Sequence, residues 1–248
     1  MRSFMFVVQM YLVMGVMGVV FLPWALVYSG GASQACRLYC HWVRWSAARL
    51  IGLHFEFRGP VPRAACLIAA KHQSFLDILM IFLALPAPRF IMKRELLYAP
   101  VLGQYAWRLG CVPVNRGAGA KAIIGMLQNV VSGGASAGQL VIYPQGTRVP
   151  PGRHMPYKSG VYALYERLDQ ACIPVATNAG VFWPRRGIYR KPGTAVVAFL
   201  PAIAPGLAQA EFMSRLQTTI ETHSEALVAE ARSSLSKRAT HRQERQKT

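Results

Sequence analysis

The chain reads as an α/β protein: a mixed sheet flanked by helices, preceded by an N-terminal membrane-anchoring helix pair. Three observations predict this. Short, continuous apolar runs alternate with helical periodicity through the middle of the chain. The stretch 4–28 is almost without polarity. Finally, 53% of the residues are hydrophobic and only 15% charged, against roughly 25% charged in an average soluble domain. A length of 248 residues provides one domain, or at most two, with a sizeable core. The composition excludes a disordered chain, and a mean hydropathy of +0.25 argues against a freely soluble one.

Gln9 is the only strongly polar side chain in the run 4–28. A bilayer core needs about 20 helical residues, so the run is long enough to span. The apolar region of a secretory signal is shorter, about 7–15 residues, and precedes a small-x-small cleavage site. The longer run, with only Arg2 before it, favours a retained anchor. Trp24 and Tyr28 read as interfacial anchors and Pro23 as a kink or an end. Residues 36–53 interleave Arg37, Arg44 and Arg49 with Leu38, Trp42, Val43, Trp45, Leu50 and Ile51. That is the composition of a basic amphipathic helix lying among headgroups; a core-packed helix with its arginines in water is the alternative. The basic residues follow the apolar run, so the positive-inside tendency places the rest of the chain on the cytoplasmic side, at the inner membrane if the cell is bacterial. A single span and a re-entrant hairpin both fit. The expected organisation is an anchor over 1–53, one domain over 54–232 and a basic tail over 233–248.

Strand-like runs lie at 65–70, 111–114, 139–143, 173–177 and 195–200, and helical patterns near 75–86, 119–132, 158–168 and 207–232. Gly133-Gly134, Pro150-Pro151-Gly152 and Pro192-Gly193 separate them. The strands are continuous rather than alternating, as expected when helices cover both faces. The tail reads as frayed or helical, either holding acidic lipid or standing as a solvated polar end. Cys36, Cys40, Cys66, Cys111 and Cys172 are odd in number and apolar in setting, and read as reduced packing residues. No metal site is implied.

Lysine and arginine total 28 against 10 acids, a net charge of +18. No acid occurs in 1–55, 96–165 or 170–210, while Arg108, Arg116, Lys121, Arg148, Arg153 and Lys158 occupy the central gap. Such a segment holds a positive potential where an anion can dock. A greasy basic chain fits a membrane surface or a phosphorylated substrate better than nucleic acid. The aromatics also do not alternate with the cations as a stacking platform requires.

The segment Lys71-His72-Gln73-Ser74-Phe75-Leu76-Asp77 follows the first core strand. A neutral imidazole takes a proton from a hydroxyl, and a carboxylate on its other nitrogen fixes the tautomer. In one continuous helix His72 and Asp77 would be about 140° out of phase, so a bend at Gln73-Ser74 is required. Ser74-x-x-Asp77 is equally a capping-box start for the helix that follows. Three further places carry cations just past a strand: Lys93 after Phe90-Ile91-Met92, Arg116 after the run 111–114, and Arg148 in Gly146-Thr147-Arg148 after the run 139–143. Ligands of open α/β sheets bind at such strand ends. Gly146 allows close backbone approach, Thr147 offers a hydroxyl, and Arg148 a fork matched to phosphate oxygens.

KHQSFLD (71–77), GCVPVNR (110–116) and YPQGTR (143–148) resemble the first three motifs of the glycerolipid acyltransferases, above all the 1-acyl-sn-glycerol-3-phosphate acyltransferases. Cys172-Ile173-Pro174-Val175 is similar to the fourth, and residues 93–110 resemble the stretch between the first two. The resemblance covers roughly 50–200. It implies His72 as base, Asp77 as its orienter, and Lys93, Arg116 and Arg148 around a substrate phosphate. The family usually has Glu where this chain has Gln145. The implied reaction moves an acyl group from acyl-CoA or acyl carrier protein, both substrates rather than cofactors, to the free hydroxyl of lysophosphatidic acid. Ser74, at the helix start, and Gly146 are the candidate backbone oxyanion donors. Gly134-Ala135-Ser136-Ala137-Gly138 has the G-x-S-x-G spacing, but it precedes the strand-like run 139–143 instead of following a strand, so it is no nucleophile elbow and no acyl-enzyme is expected. The competing readings are an acyltransferase for another lysolipid, such as a lyso-aminolipid, and an inactive binder of anionic membrane lipids.

Overall fold

The computed structural model describes residues 1–115, 124–125, 127–128, 130 and 138–245. Its centre is a seven-stranded mixed sheet flanked by helices. The strands are β1 (Leu53–Arg58), β2 (Cys66–Ala70), β3 (Pro88–Lys93), β4 (Val112–Val114), β5 (Gln139–Ile142), β6 (Cys172–Thr177) and β7 (Gly193–Phe199), in the spatial order β1-β7-β6-β2-β5-β3-β4. Every neighbouring pair is parallel except β6 and β7, which run antiparallel.

β2 is the middle strand, and all five of its residues are buried. Ile68 pairs with Val141 on one side and Ile173 on the other. The pleat sends alternate side chains to opposite faces. Ile68 and Ala70 enter a core shared with α1 (Arg2–Val20), α3 (Gly31–Ile51), α4 (Leu76–Ala84) and the short α7 (Ala179–Phe182). Leu67 and Ala69 enter a second core with α6 (Gly160–Leu168) and α8 (Gln209–Arg245). The helix expected at 119–132 falls mostly outside the described residues. β1 and α5 (Leu102–Arg108) were not expected. α8 runs unbroken past residue 232, so the basic tail is helical as far as Arg245.

The apolar run 4–28 is two helices rather than one. α1 ends at Phe21, and α2 (Leu22–Val27) restarts with Pro23 in its first turn, where the missing N–H costs nothing. Among the described residues α1 is the one helix long and apolar enough to cross a membrane, and most of it is exposed. It is nonetheless tied to the domain along its length. Ser3 Oγ bonds Arg190 O and N at 3.2 and 3.1 Å. Phe6 and Met10 are fully buried, and the Phe6 ring meets Trp183 edge-on at 5.4 Å. Gln9, the polar exception in the run, donates to Ser46 Oγ at 3.1 Å and accepts from Trp42 Nε1 at 2.9 Å, both on α3. Removing a buried phenylalanine ring costs about 3–5 kcal/mol, so Phe6→Ala is expected to lower the detergent-solubilised Tm markedly. An unchanged Tm would mean that α1 contributes nothing to the core.

α3 begins five residues before the expected start and stops at Gly52, whose φ of +66° supplies the left-handed cap. Its outward face keeps Leu38, Trp42, Arg44, Trp45 and Arg49. Arg37 departs from the expectation. Its guanidinium donates to Leu85 O and Pro86 O at 2.6 Å each and lies over the Phe82 ring at 5.5 Å. It therefore satisfies carbonyls at the end of α4 instead of meeting headgroups.

Candidate active site

The chain leaves β2 at the middle of the sheet, and strand alternation sends the next two side chains to opposite faces. Lys71 turns toward α8 and is buried there against Glu221, with Nζ 2.7 and 2.6 Å from the two carboxylate oxygens. Tyr157 Oη donates to the same carboxylate at 2.8 Å. His154, Glu221 and Glu225 bring potential ligand atoms within 4.8 Å of one another. Lys71 already neutralises Glu221, so the trio reads as an ion-pair network.

His72 turns to the face lined by α4. Its ring stacks on Tyr143 at 4.0 Å, just past β5. Residues 72–75 form a short loop, and α4 begins only at Leu76, which removes the phase problem and lets Asp77 face back. Asp77 is fully buried. One oxygen lies 2.8 Å from His72 Nδ1. The other accepts from Gln73 N at 2.8 Å and Ser74 N at 2.7 Å. Ser74 Oγ accepts from Leu76 N at 3.1 Å. The capping box and the His-Asp pair are thus one arrangement, in which the helix start locks the carboxylate that orients the imidazole. Gln73 Oε1 accepts from Gly180 N at 3.0 Å. A Cβ on Gly180 would come within 2.8 Å of Gln73 Cβ and 2.9 Å of Pro151 Cδ, so that contact requires glycine.

The turn after β5 closes over this loop. Val149 N donates to His72 O at 2.8 Å, and Gly146 N to Tyr143 O at 2.8 Å. Gly146 has φ +68°, and a Cβ there would lie 3.2 Å from Lys158 Cε and 3.3 Å from its Nζ. The glycine therefore lets an ammonium group lie across the turn. Arg148 is half-buried and pairs with no carboxylate among the described residues. Its carbonyl accepts from Arg185 Nη1 at 3.2 Å, which brings another cation to the rim. Burial pushes the Tyr143 phenol well above its ordinary range, and the nearby Asp77 carboxylate adds to the shift.

Several expectations are modified. Lys93 is exposed and lies 3.1 Å from Glu95 Oε1, so an arriving phosphate must compete with that carboxylate. Arg116 lies outside the described residues. β3 sits between β4 and β5, and Lys93 pairs with Val114, so the segments carrying Lys93, Asn115 and Gly146 leave the same end of the sheet as His72. The backbone N–H groups of Ser74 and Gly146, the candidate oxyanion donors, bond Asp77 and Tyr143 O. The N–H groups of Thr147 and Arg148 have no partner among the described residues. Gln145 is buried, with Nε2 donating to Met155 O at 3.3 Å and Oε1 unpartnered. Lys158 and Arg185 were not singled out as site residues. Both lie in acid-free stretches, Lys158 in 96–165 and Arg185 in 170–210, and that was their only signal. All five cysteines are free. Burial pushes the Cys66 thiol up to about 11 and Cys172 further, so neither supplies a thiolate at neutral pH.

A family model described as Acyltransferase matches residues 53–178, from β1 to the end of β6. The chain belongs to the acyltransferase family. The window matched in this acyltransferase contains His72, Asp77 and the whole turn 143–149. One relative is the 1-acyl-sn-glycerol-3-phosphate acyltransferase of Pseudomonas aeruginosa, 29% identical over 167 residues, 66% of this chain and 65% of that one. Another is 1-acyl-sn-glycerol-3-phosphate acyltransferase beta of Homo sapiens, 28% identical over 199 residues, 78% of this chain and 72% of that one. The aligned stretch thus spans just under two thirds of the first relative and more of the second. The crystal structure of the 1-acyl-sn-glycerophosphate (LPA) acyltransferase PlsC from Thermotoga maritima has the same fold. It superposes with a TM-score of 0.75 at 16% identity, covering 92% of this chain and 98% of that one.

Proposed function

We propose that the protein transfers a fatty acyl group from acyl-CoA or acyl carrier protein to the free hydroxyl of 1-acyl-sn-glycerol 3-phosphate, giving phosphatidic acid. The observation that carries this reading is the buried His72–Asp77 pair, 2.8 Å apart, beside a turn that carries Arg148, is crossed by Lys158 and bonds the backbone of His72 itself. The names of the relatives supply the acceptor.

Asp77 holds the Nδ1–H of His72, which leaves Nε2 as the base. The substrate hydroxyl gives its proton to Nε2 as its oxygen bonds the thioester carbonyl carbon. The tetrahedral oxyanion is held by the N–H groups of Thr147 and Arg148. Collapse breaks the C–S bond, and Nε2 returns the proton to the leaving thiolate. The products are phosphatidic acid and the free thiol of the carrier, and no cofactor is needed. The N-terminal helices form a hairpin lying along the domain in one leaflet, with the catalytic domain on the cytoplasmic side and the basic tail against anionic lipid.

Phosphate binding is the same in ground and transition states, so its loss acts on KM first. Arg148→Ala is expected to raise KM for lysophosphatidic acid about tenfold or more, the loss of a charge-assisted hydrogen bond of roughly 1.5–3 kcal/mol. Arg148→Lys should restore part of it, since a point charge cannot reproduce a two-pronged contact. KM for the acyl donor should move much less. The same assay run with a phosphate-free lysolipid tests the acceptor. Preference for that lipid, with Arg148→Ala leaving KM untouched, would replace lysophosphatidic acid as the substrate.

A further inference from the structure

The segment between β3 and β4 carries a surface that the acyl-transfer chemistry does not use. Within twelve residues Leu96, Tyr98, Leu102 and Trp107 are 41%, 72%, 50% and 64% exposed. Four large apolar side chains so close together form a patch of the kind that marks a partner surface. The segment is built onto the N-terminal helices. Tyr105 Oη donates to Gly18 O of α1 at 3.1 Å. Val101 Cγ1 sits where a Cβ on Gly18 would come within 3.0 Å. Tyr105, Ala25, Ala32 and Ala35 make one buried cluster, with Phe21, Leu22 and Val101 against it. Val101 itself has φ +64°, unusual for a β-branched residue, and Leu102 N bonds Pro100 O at 2.6 Å to close a γ-turn. Packing against α1 holds this strained turn in place.

We propose that residues 94–108 form a second membrane-inserting lobe, whose occupant is the boundary between headgroups and acyl chains of the bilayer. Continuity decides for lipid over a protein partner. α5 packs on α2, whose Trp24 and Val27, with Tyr28 just after it, are also exposed, and α2 follows directly on α1, the apolar helix. The lobe also has interfacial chemistry. Arg108 lies 5.2 Å over the Trp107 ring, and Arg94 is exposed. An aromatic with a cation at its side suits the headgroup layer. Glu95 is the lobe's one acid, and none follows before Glu166, so anionic headgroups meet little repulsion. The lobe begins where β3 ends at Lys93, so its insertion sets the open end of the sheet at headgroup depth, where a lipid phosphate arrives. The proposal rests on the reading of α1 to α3 as the membrane anchor.

The test uses the full-length chain in vesicles of phosphatidylcholine and phosphatidylglycerol with brominated acyl chains. Tryptophan emission is compared between wild type, Trp107→Phe and Trp24→Phe, so that difference spectra isolate each indole. Trp107 emission should fall to about half or less in the brominated vesicles and resist aqueous iodide, as for an indole at the acyl boundary. Trp107 emission unaffected by bromine and quenched by iodide overturns the lobe. Trp24 then separates the two readings. If Trp24 is quenched by bromine, the anchor stands and the lobe alone falls; if it is not, both fall.

Discussion

His72→Ala should abolish measurable formation of phosphatidic acid, a loss of about 10⁴-fold in turnover at the upper end of what a positioned acid–base group supplies. The expectation is large because in the proposed mechanism one nitrogen serves both half-steps, accepting the hydroxyl proton during attack and returning it to the leaving thiolate. Among the described residues no neighbour can take over. Asp77 is buried with both oxygens engaged by His72, Gln73 and Ser74. Tyr143, stacked on the ring, is held neutral by burial. Lys71 is bound to Glu221 on the other face of the sheet. KM for both substrates should stay within a few-fold, because the cations proposed to bind phosphate are untouched. A Tm measurement separates chemistry from collapse, since the variant also loses the ring stack with Tyr143. Near wild-type turnover in a folded His72→Ala protein would remove the histidine from the mechanism.

Asp77→Asn should lower turnover by about 10²–10⁴-fold while leaving the fold in place. The amide oxygen can still accept from Gln73 N and Ser74 N, so the start of α4 keeps its cap. The amide nitrogen then faces His72 Nδ1 and donates to it. This forces the proton onto Nε2, where the base is needed, so most of the protein holds the wrong tautomer. The reverse orientation of the amide sets an NH₂ group against two backbone donors and destabilises the loop. Asp77→Ala is expected to lower Tm more than Asp77→Asn, because it removes the cap as well as the orienter. Equal turnover in Asp77→Asn and wild type would assign Asp77 to capping alone.

Much of the sheet was legible because its strands are local signals. Cys66–Ala70 is buried on both faces and so reads as a continuous apolar run. The His72–Asp77 pair was equally legible, five residues apart on a strand-to-helix junction. What escaped depends on distance along the chain or on shape. Lys71 and Glu221 are 150 residues apart, and neither marks the other in the sequence. α5 is a single short helix behind a strained turn at Val101, and no periodicity announces it. Arg37 has the same composition signature whether it meets a phosphate or caps a helix, and only the position of α4 decides. The apolar stretch 4–28 has the length of a span, but hydropathy does not register that Phe6 and Met10 fit the domain core. Ser74 and Gly146 were sensible oxyanion donors by type. Their N–H groups proved to be used by the turns that place them.

The most direct test of the proposed chemistry follows one labelled acyl group through a turnover. Purified protein in detergent is mixed with acyl-CoA labelled in the acyl chain, with and without lysophosphatidic acid, then denatured and separated. Direct transfer from a His72–Asp77 base predicts that with acceptor the label appears in phosphatidic acid, and that without acceptor none is attached to the protein. Label held covalently on the protein, and passed to phosphatidic acid when the acceptor is added, would establish an acyl-enzyme and contradict direct transfer.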